Sequence, residues 1–69
     1  MKKVLAKNLR LIRSAAGLSQ AGLAERTGLS QTWISRLESG TANPTIETLM
    51  ILSNVMEISV VDLLRESRS

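Results

Sequence analysis

The chain has 69 residues, with nine Lys and Arg against six Asp and Glu and a formal charge of +3. A protein this short buries about 60% of its unfolded surface, which admits one domain, residues 1–69, around one small core. Trp33 is its single aromatic among 43% hydrophobic residues, and neither Cys nor His occurs; the core is therefore aliphatic, and disulfides, thiol nucleophiles, zinc knuckles and the usual neutral-pH general base are excluded.

Gly, Pro and small polar residues divide the sequence into five blocks, each with helical spacing. In the first, Leu5, Leu9, Ile12 and Ala16 recur four, three and four apart and line one face, and Gly17 follows as a cap. The second opens at Ser19, turns Leu23, Ala24 and Thr27 inward and stops at Gly28. The third runs from Gln31 to Ser39 behind Ser30, with Ile34 and Leu37 inward and Gly40 after it. Asn43-Pro44 separates it from the fourth, Ile46 to Met56, which Thr45 opens and which turns Leu49, Leu52, Val55 and Met56 inward. The fifth follows Ser59 and runs from Val60 to about Glu66, with Leu63 and Leu64 inward. Each Ser or Thr at a block start offers a side-chain oxygen to orphan amides of the first turn. No sustained alternation competes, so the expected class is all-α.

Charge is unevenly spread along these blocks. Residues 1–36 hold seven bases against Glu25 alone, a net +6, whereas residues 37–69 hold Arg65 and Arg68 against five acids, a net −3. Halves of opposite sign point one end at a polyanion. No stretch reaches the roughly 18 unbroken apolar residues of a membrane span, and Lys7, Arg10 and Arg13 interrupt the apolar run a signal peptide needs. The expectation is a cytosolic protein without a membrane partner. Nothing in the pattern supplies a metal cluster, a cofactor loop or a catalytic set.

Residues 20–39 are the most constrained stretch. They read as helix, short turn, helix: Ala24 is small where two helices cross closely, and Gly28 sits where the turn needs a positive φ. Leu23, Leu29, Ile34 and Leu37 fasten both helices to one core. This is the sequence form of a helix-turn-helix, a unit whose second helix enters the DNA major groove.

Beyond the form, specific residues carry a resemblance. Arg13, Gly17-Leu18-Ser19-Gln20, Leu23-Ala24, Gly28, Ser30-Gln31, Ile34-Ser35-Arg36-Leu37-Glu38-Ser39-Gly40, Asn43-Pro44-Thr45, Thr48-Leu49 and Ser59-Val60 follow one another without a gap. In that order and spacing the run from Leu9 to Leu64 resembles the Cro/repressor helix-turn-helix family of phage and bacterial regulators. The resemblance implies a compact five-helix, lambda-repressor-like DNA-binding domain that docks as a homodimer on a pseudo-palindromic operator in double-stranded DNA. It implies a bacterial or phage-encoded protein working at the nucleoid. It also implies a phosphate contact at Gln20, a structural ion pair between Arg13 and Glu38, and dimerisation through the C-terminal region, where Val60, Val61 and Leu64 offer apolar surface.

Base-reading candidates follow from helix geometry. Positions 32 and 36 share a face of the third helix, with 31 and 35 beside them. Gln31 can pair with adenine N6 and N7, Arg36 with guanine O6 and N7, and Thr32 can offer its methyl to thymine; Ser35 is a weaker contact. Phosphate-side candidates are Gln20, Ser30, Ser39, Thr41, Asn43, Lys7 and Arg10, together with Trp33, whose ring covers the seam between the second and third helices and leaves its N–H for a phosphate. Gly22 in mid-helix costs about 1 kcal/mol with no compensation evident in the sequence. Leu11 and Ile51 fall where the family tends to be polar, and Val4, Leu11 and Ala15 form a second stripe on helix one. These features support a competing reading, an antitoxin-like or adaptor module with an unknown protein partner.

Overall fold

In a computed structural model that describes residues 2–66, hydroxyl side chains open every helix after the first. The helices are α1 (Lys2–Ala15), α2 (Gln20–Thr27), α3 (Gln31–Ser39), α4 (Ile46–Met56) and α5 (Val60–Leu63), and the described residues contain no strand. Ser19, Ser30, Thr45 and Ser59 accept from the backbone N–H groups of Gly22, Trp33, Thr48 and Asp62. Each cap satisfies one of the donors that a helix start leaves without an intrahelical partner. At the other ends, Gly28 and Gly40 take φ values of 77° and 76°, left-handed conformations that a Cβ would disfavour. The same role after α4 falls to Glu57, at φ 54°, which costs a side-chain-bearing residue about 1 kcal/mol.

The inward faces meet as spacing predicts. Leu5 and Leu9 from α1, Leu23 from α2, Ile34 and Leu37 from α3, Leu49 and Leu52 from α4 and Leu63 from α5 form the buried core, which Ala42 closes from the loop after α3. Helix α1 lies against α3 and α5, α2 against α3 and α4, and α4 against α5. Ala24 and Thr27 are half-buried at the α2–α3 turn, where the Thr27 hydroxyl donates to the Leu23 carbonyl and accepts from the Leu29 N–H. Gly22 has a local explanation after all. A Cβ there would lie 3.2 Å from the Ser19 Oγ that caps the helix, so the glycine leaves room for its own cap.

Three expectations need correction. Ala16 is exposed, because α1 ends at Ala15 and the face does not continue into the turn. Ile51 is half-buried, which leaves Leu11, at 58% exposure, as the more open of the two residues that suggested a second apolar surface. Helix α5 stops at Leu63 and does not reach Glu66. Its end is held by a residue the sequence reading passed over. Asn8, on the buried face of α1, donates from Nδ2 to the carbonyls of Leu63 (2.8 Å) and Arg65 (2.9 Å). Those carbonyls then serve as acceptors for α1 at the point where the helix gives way to extended chain.

Asn8 is 8% exposed, so its loss strands two carbonyls at the α1–α5 seam. Asn8→Ala should lower the unfolding free energy by about 1–3 kcal/mol in urea titration. Hydrogen exchange should accelerate first at the amides of α5.

Candidate nucleic-acid interface

The elements around α3 are positioned by one carboxylate. Glu38, near the end of α3, has a side chain only 3% exposed. Arg13 reaches it from the last turn of α1 with two parallel bonds, Nε to Oε2 at 2.5 Å and Nη2 to Oε1 at 3.0 Å. Gln20, the first residue of α2, adds a third donor, its Nε2 lying 3.0 Å from Oε1. Arg13 also donates from Nη1 to the Leu18 carbonyl, and Arg10 donates to the backbone carbonyl of Glu38 itself. Hydrogen bonding to Glu38 raises the Arg13 guanidinium above its ordinary value, against the opposing effect of burial. A raised cation contributes its stability in full below its unfolded pKa and loses it only as pH climbs through the folded one. On the Arg13 side the pair is therefore intact across the whole physiological range.

Fixing the start of α2 against the end of α3 leaves a shallow concavity of about 370 Å³ between them, lined by Gln20, Gln31, Thr32, Ser35 and Arg36. All four base-reading candidates thus share one surface with Gln20, and all four are exposed. Helix α3 has nine residues, a length of about 13 Å at 1.5 Å per residue. An α-helix is about 10–12 Å across with its side chains, which suits a major groove about 12 Å wide. The free amides at the starts of α2 and α3 add partial positive charge to this side.

The other candidates divide. Ser30 holds its oxygen on the Trp33 N–H as the α3 cap. The hydroxyls of Ser39 and Thr41 both lie within hydrogen-bond reach of the Arg36 carbonyl and of each other, finishing the C-terminus of α3. Asn43 is exposed on the following loop. Trp33 is half-buried against the core, and the guanidinium of Arg36 lies over its ring. Lys7 stands apart, lining a groove with Lys3, Val4, Asn8 and Glu66 beside the end of the chain's described part. Of the C-terminal apolar candidates, Val60 and Leu64 are half-buried against the core, while Val61 is 67% exposed. The sequence reading missed Ile46 and Met50, exposed by 73% and 56%. Their signal is a spacing of four on α4, offset from the Leu49–Leu52 face.

Two short helices packed against each other and joined through a left-handed turn at Gly28, with the second presenting polar side chains from its open face, define a helix-turn-helix DNA-binding domain. Residues 9–63 match the Helix-turn-helix family HTH_3, and the chain belongs to that family. It is a non-enzymatic DNA-binding regulator. The control protein C.SmaI of Serratia marcescens is 42% identical over 64 residues, spanning 93% of this chain and 76% of that protein. The restriction-modification controller protein C.AhdI of Aeromonas hydrophila superposes with a TM-score of 0.85 at 29% identity, covering 90% of this chain and 94% of that one. A hypothetical transcription factor from Neisseria, NHTF, superposes with a TM-score of 0.88 at 31% identity, covering 93% and 74%. Among the described residues no cluster of His, Cys, Asp or Glu could hold a metal ion, and no helix is long and apolar enough to cross a membrane.

Removing Arg13 leaves a buried carboxylate with one side-chain donor. Arg13→Ala should destabilise the fold by about 3–5 kcal/mol, read from thermal melting. The base preference of the fraction that remains folded should not change; unaltered melting with a changed preference would contradict a structural role.

Proposed function

We propose that the chain is a sequence-specific transcriptional repressor that binds a pseudo-palindromic operator as a homodimer, with α3 in the major groove. The observation that carries the reading is the single concavity shared by Gln20, Gln31, Thr32, Ser35 and Arg36. Groove edges are read by two-pronged donors and acceptors, and Gln31 and Arg36 are the two side chains on this surface with that capacity free, since Gln20 commits its amide nitrogen to Glu38. Thr32 contributes a methyl or hydroxyl and Ser35 a single hydroxyl. Around them Gln20, Ser30, Trp33, Ser39, Thr41, Asn43 and Arg10 form the phosphate-side surface, which sets register without reading sequence, while Lys7, in a separate groove with Glu66, lies outside it. Residues 1–69 act as one domain, in the bacterial cytoplasm where the operator lies. The control-protein and controller relatives support a regulatory role.

Dimerisation supplies what one short chain lacks. Val61 continues outward from α5, and Ile46 and Met50 are exposed on α4, which packs against α5. Val60 and Leu64 support that surface from the core side. A two-fold interface there doubles both the DNA contacts and the buried apolar area. Its half-sites lie about 34–36 Å apart along the duplex, one helical turn.

Selection from random duplex DNA should recover an inverted repeat with half-sites spaced by about one turn. Binding that is equal on all sequences would overturn the regulator reading. On the recovered site, Arg36→Ala should flatten preference at one base pair per half-site by about 1–3 kcal/mol; a uniform loss across sequences would reduce Arg36 to a phosphate contact. For the dimer, Val61→Asp should shift sedimentation at micromolar concentration toward monomer with the helical circular dichroism retained. An unchanged sedimentation coefficient would move the interface elsewhere.

A further inference from the structure

Trp33 is the chain's one aromatic, and it stands on the helix assigned to the groove. Its ring is half-buried and packs against the core, which fixes the indole in place. Arg36, three residues on and exposed, sets its guanidinium carbon 6.0 Å from the ring centroid. Among the described residues the ion pairs are Arg13–Glu38 and Arg65–Asp62. Neither pair involves Arg36, and the group its guanidinium lies over is the indole. We infer that Trp33 is a positioning residue for Arg36, a shelf that sets the guanidinium beside the concavity before DNA arrives; this rests on the reading of Arg36 as a base-contacting side chain.

The chemistry of the two groups makes the arrangement workable. A guanidinium is attracted to an aromatic ring through its flat face, whereas its five N–H donors radiate in its plane. An approach through that face leaves the fork free for guanine O6 and N7. An unsupported exposed arginine loses rotamer freedom when it binds, and that loss subtracts from discrimination. A side chain already ordered on a core-anchored ring avoids much of it. Packing alone does not account for the tryptophan, since an aliphatic residue would also pack against that core.

A double-mutant cycle on the selected operator tests this. The readout is the Kd ratio between the preferred base and a substituted base at the position Arg36 reads, for wild type, Trp33→Leu, Arg36→Ala and the double variant. Trp33→Leu should lower the ratio about twofold to fivefold, Trp33→Phe less, and Trp33→Leu should lower it no further in the Arg36→Ala background. In the free protein, NMR should show the Arg36 δ-methylene protons shifted upfield by the indole ring current, and the shift should vanish in Trp33→Leu. Where Trp33→Leu fails to fold, Trp33→Phe carries the same comparison. Equal losses on all sequences, equal losses in both Arg36 backgrounds, or no ring-current shift would each overturn the positioning role. An Arg36→Ala protein with unchanged base preference would instead overturn the base-reading assignment, and the positioning role with it.

Discussion

A carboxylate removed from water must be met by donors, and in this protein that requirement falls on Glu38. Burying a lone charge costs several kcal/mol, and the cost is offset only by well-aligned partners. The side chain is 3% exposed, and its donors come from two other helices: Arg13 near the end of α1 and Gln20 at the start of α2. Three helices must stand in one relative arrangement for those bonds to form. The concavity between α2 and α3 is a consequence of that arrangement, since Gln20 belongs both to the network and to the surface. The proposed DNA face therefore takes its shape from an ion pair that need not touch DNA at all.

The rest of the fold is an exercise in closing a core with few residues. Its fully buried large side chains are Leu5, Leu9, Leu23, Ile34, Leu37, Leu52 and Leu63, and every helix supplies at least one of them. Helix α5 has four residues and cannot sustain itself, since a single turn fixes several dihedrals for very few hydrogen bonds. It persists because Leu63 fills the core, Ser59 caps its start and Asn8 holds its end. The weakest element is thus tied to the longest one. A partner subunit placed on Val61 would rest on an element that α1 already braces.

Much of this was legible in the sequence, because it follows from local rules. Ser19, Ser30, Thr45 and Ser59 cap helices wherever such residues precede an apolar period, and the left-handed glycines end them. The core faces follow from spacings of three and four. What was not legible depends on tertiary proximity. Asn8 looks like an ordinary polar residue until α5 arrives beside it 55 residues later. Glu57 carries no sequence mark of its left-handed conformation, which the chain adopts because Ile58 must turn back toward Ser53. Ile46 and Met50 sit at a spacing that suits burial, yet the turn of α4 committed to the core is the one bearing Leu49 and Leu52. Arg36 and Trp33 were each assigned to DNA on their own; that one lies over the other needs rotamers, which spacing does not specify.

The charge distribution also changes meaning once the side chains are placed. The +6 of residues 1–36 overstates the positive charge free to face a polyanion. Arg13 is neutralised by Glu38, and Lys3 and Lys7 lie near Glu66, in a groove separate from the concavity. The loop after α3 brings no base, and its hydroxyls at Ser39 and Thr41 are directed to the Arg36 carbonyl. Non-specific binding grows with the number of phosphates neutralised, because each releases counterions. A surface with few free cations holds random DNA weakly and depends on base-edge contacts for its affinity. On the proposed reading, that favours discrimination: the gap between specific and non-specific binding widens when the shared electrostatic contribution is small. It also explains why ordering matters here, since a domain with one two-pronged arginine on its reading face gains most from having that arginine already in place.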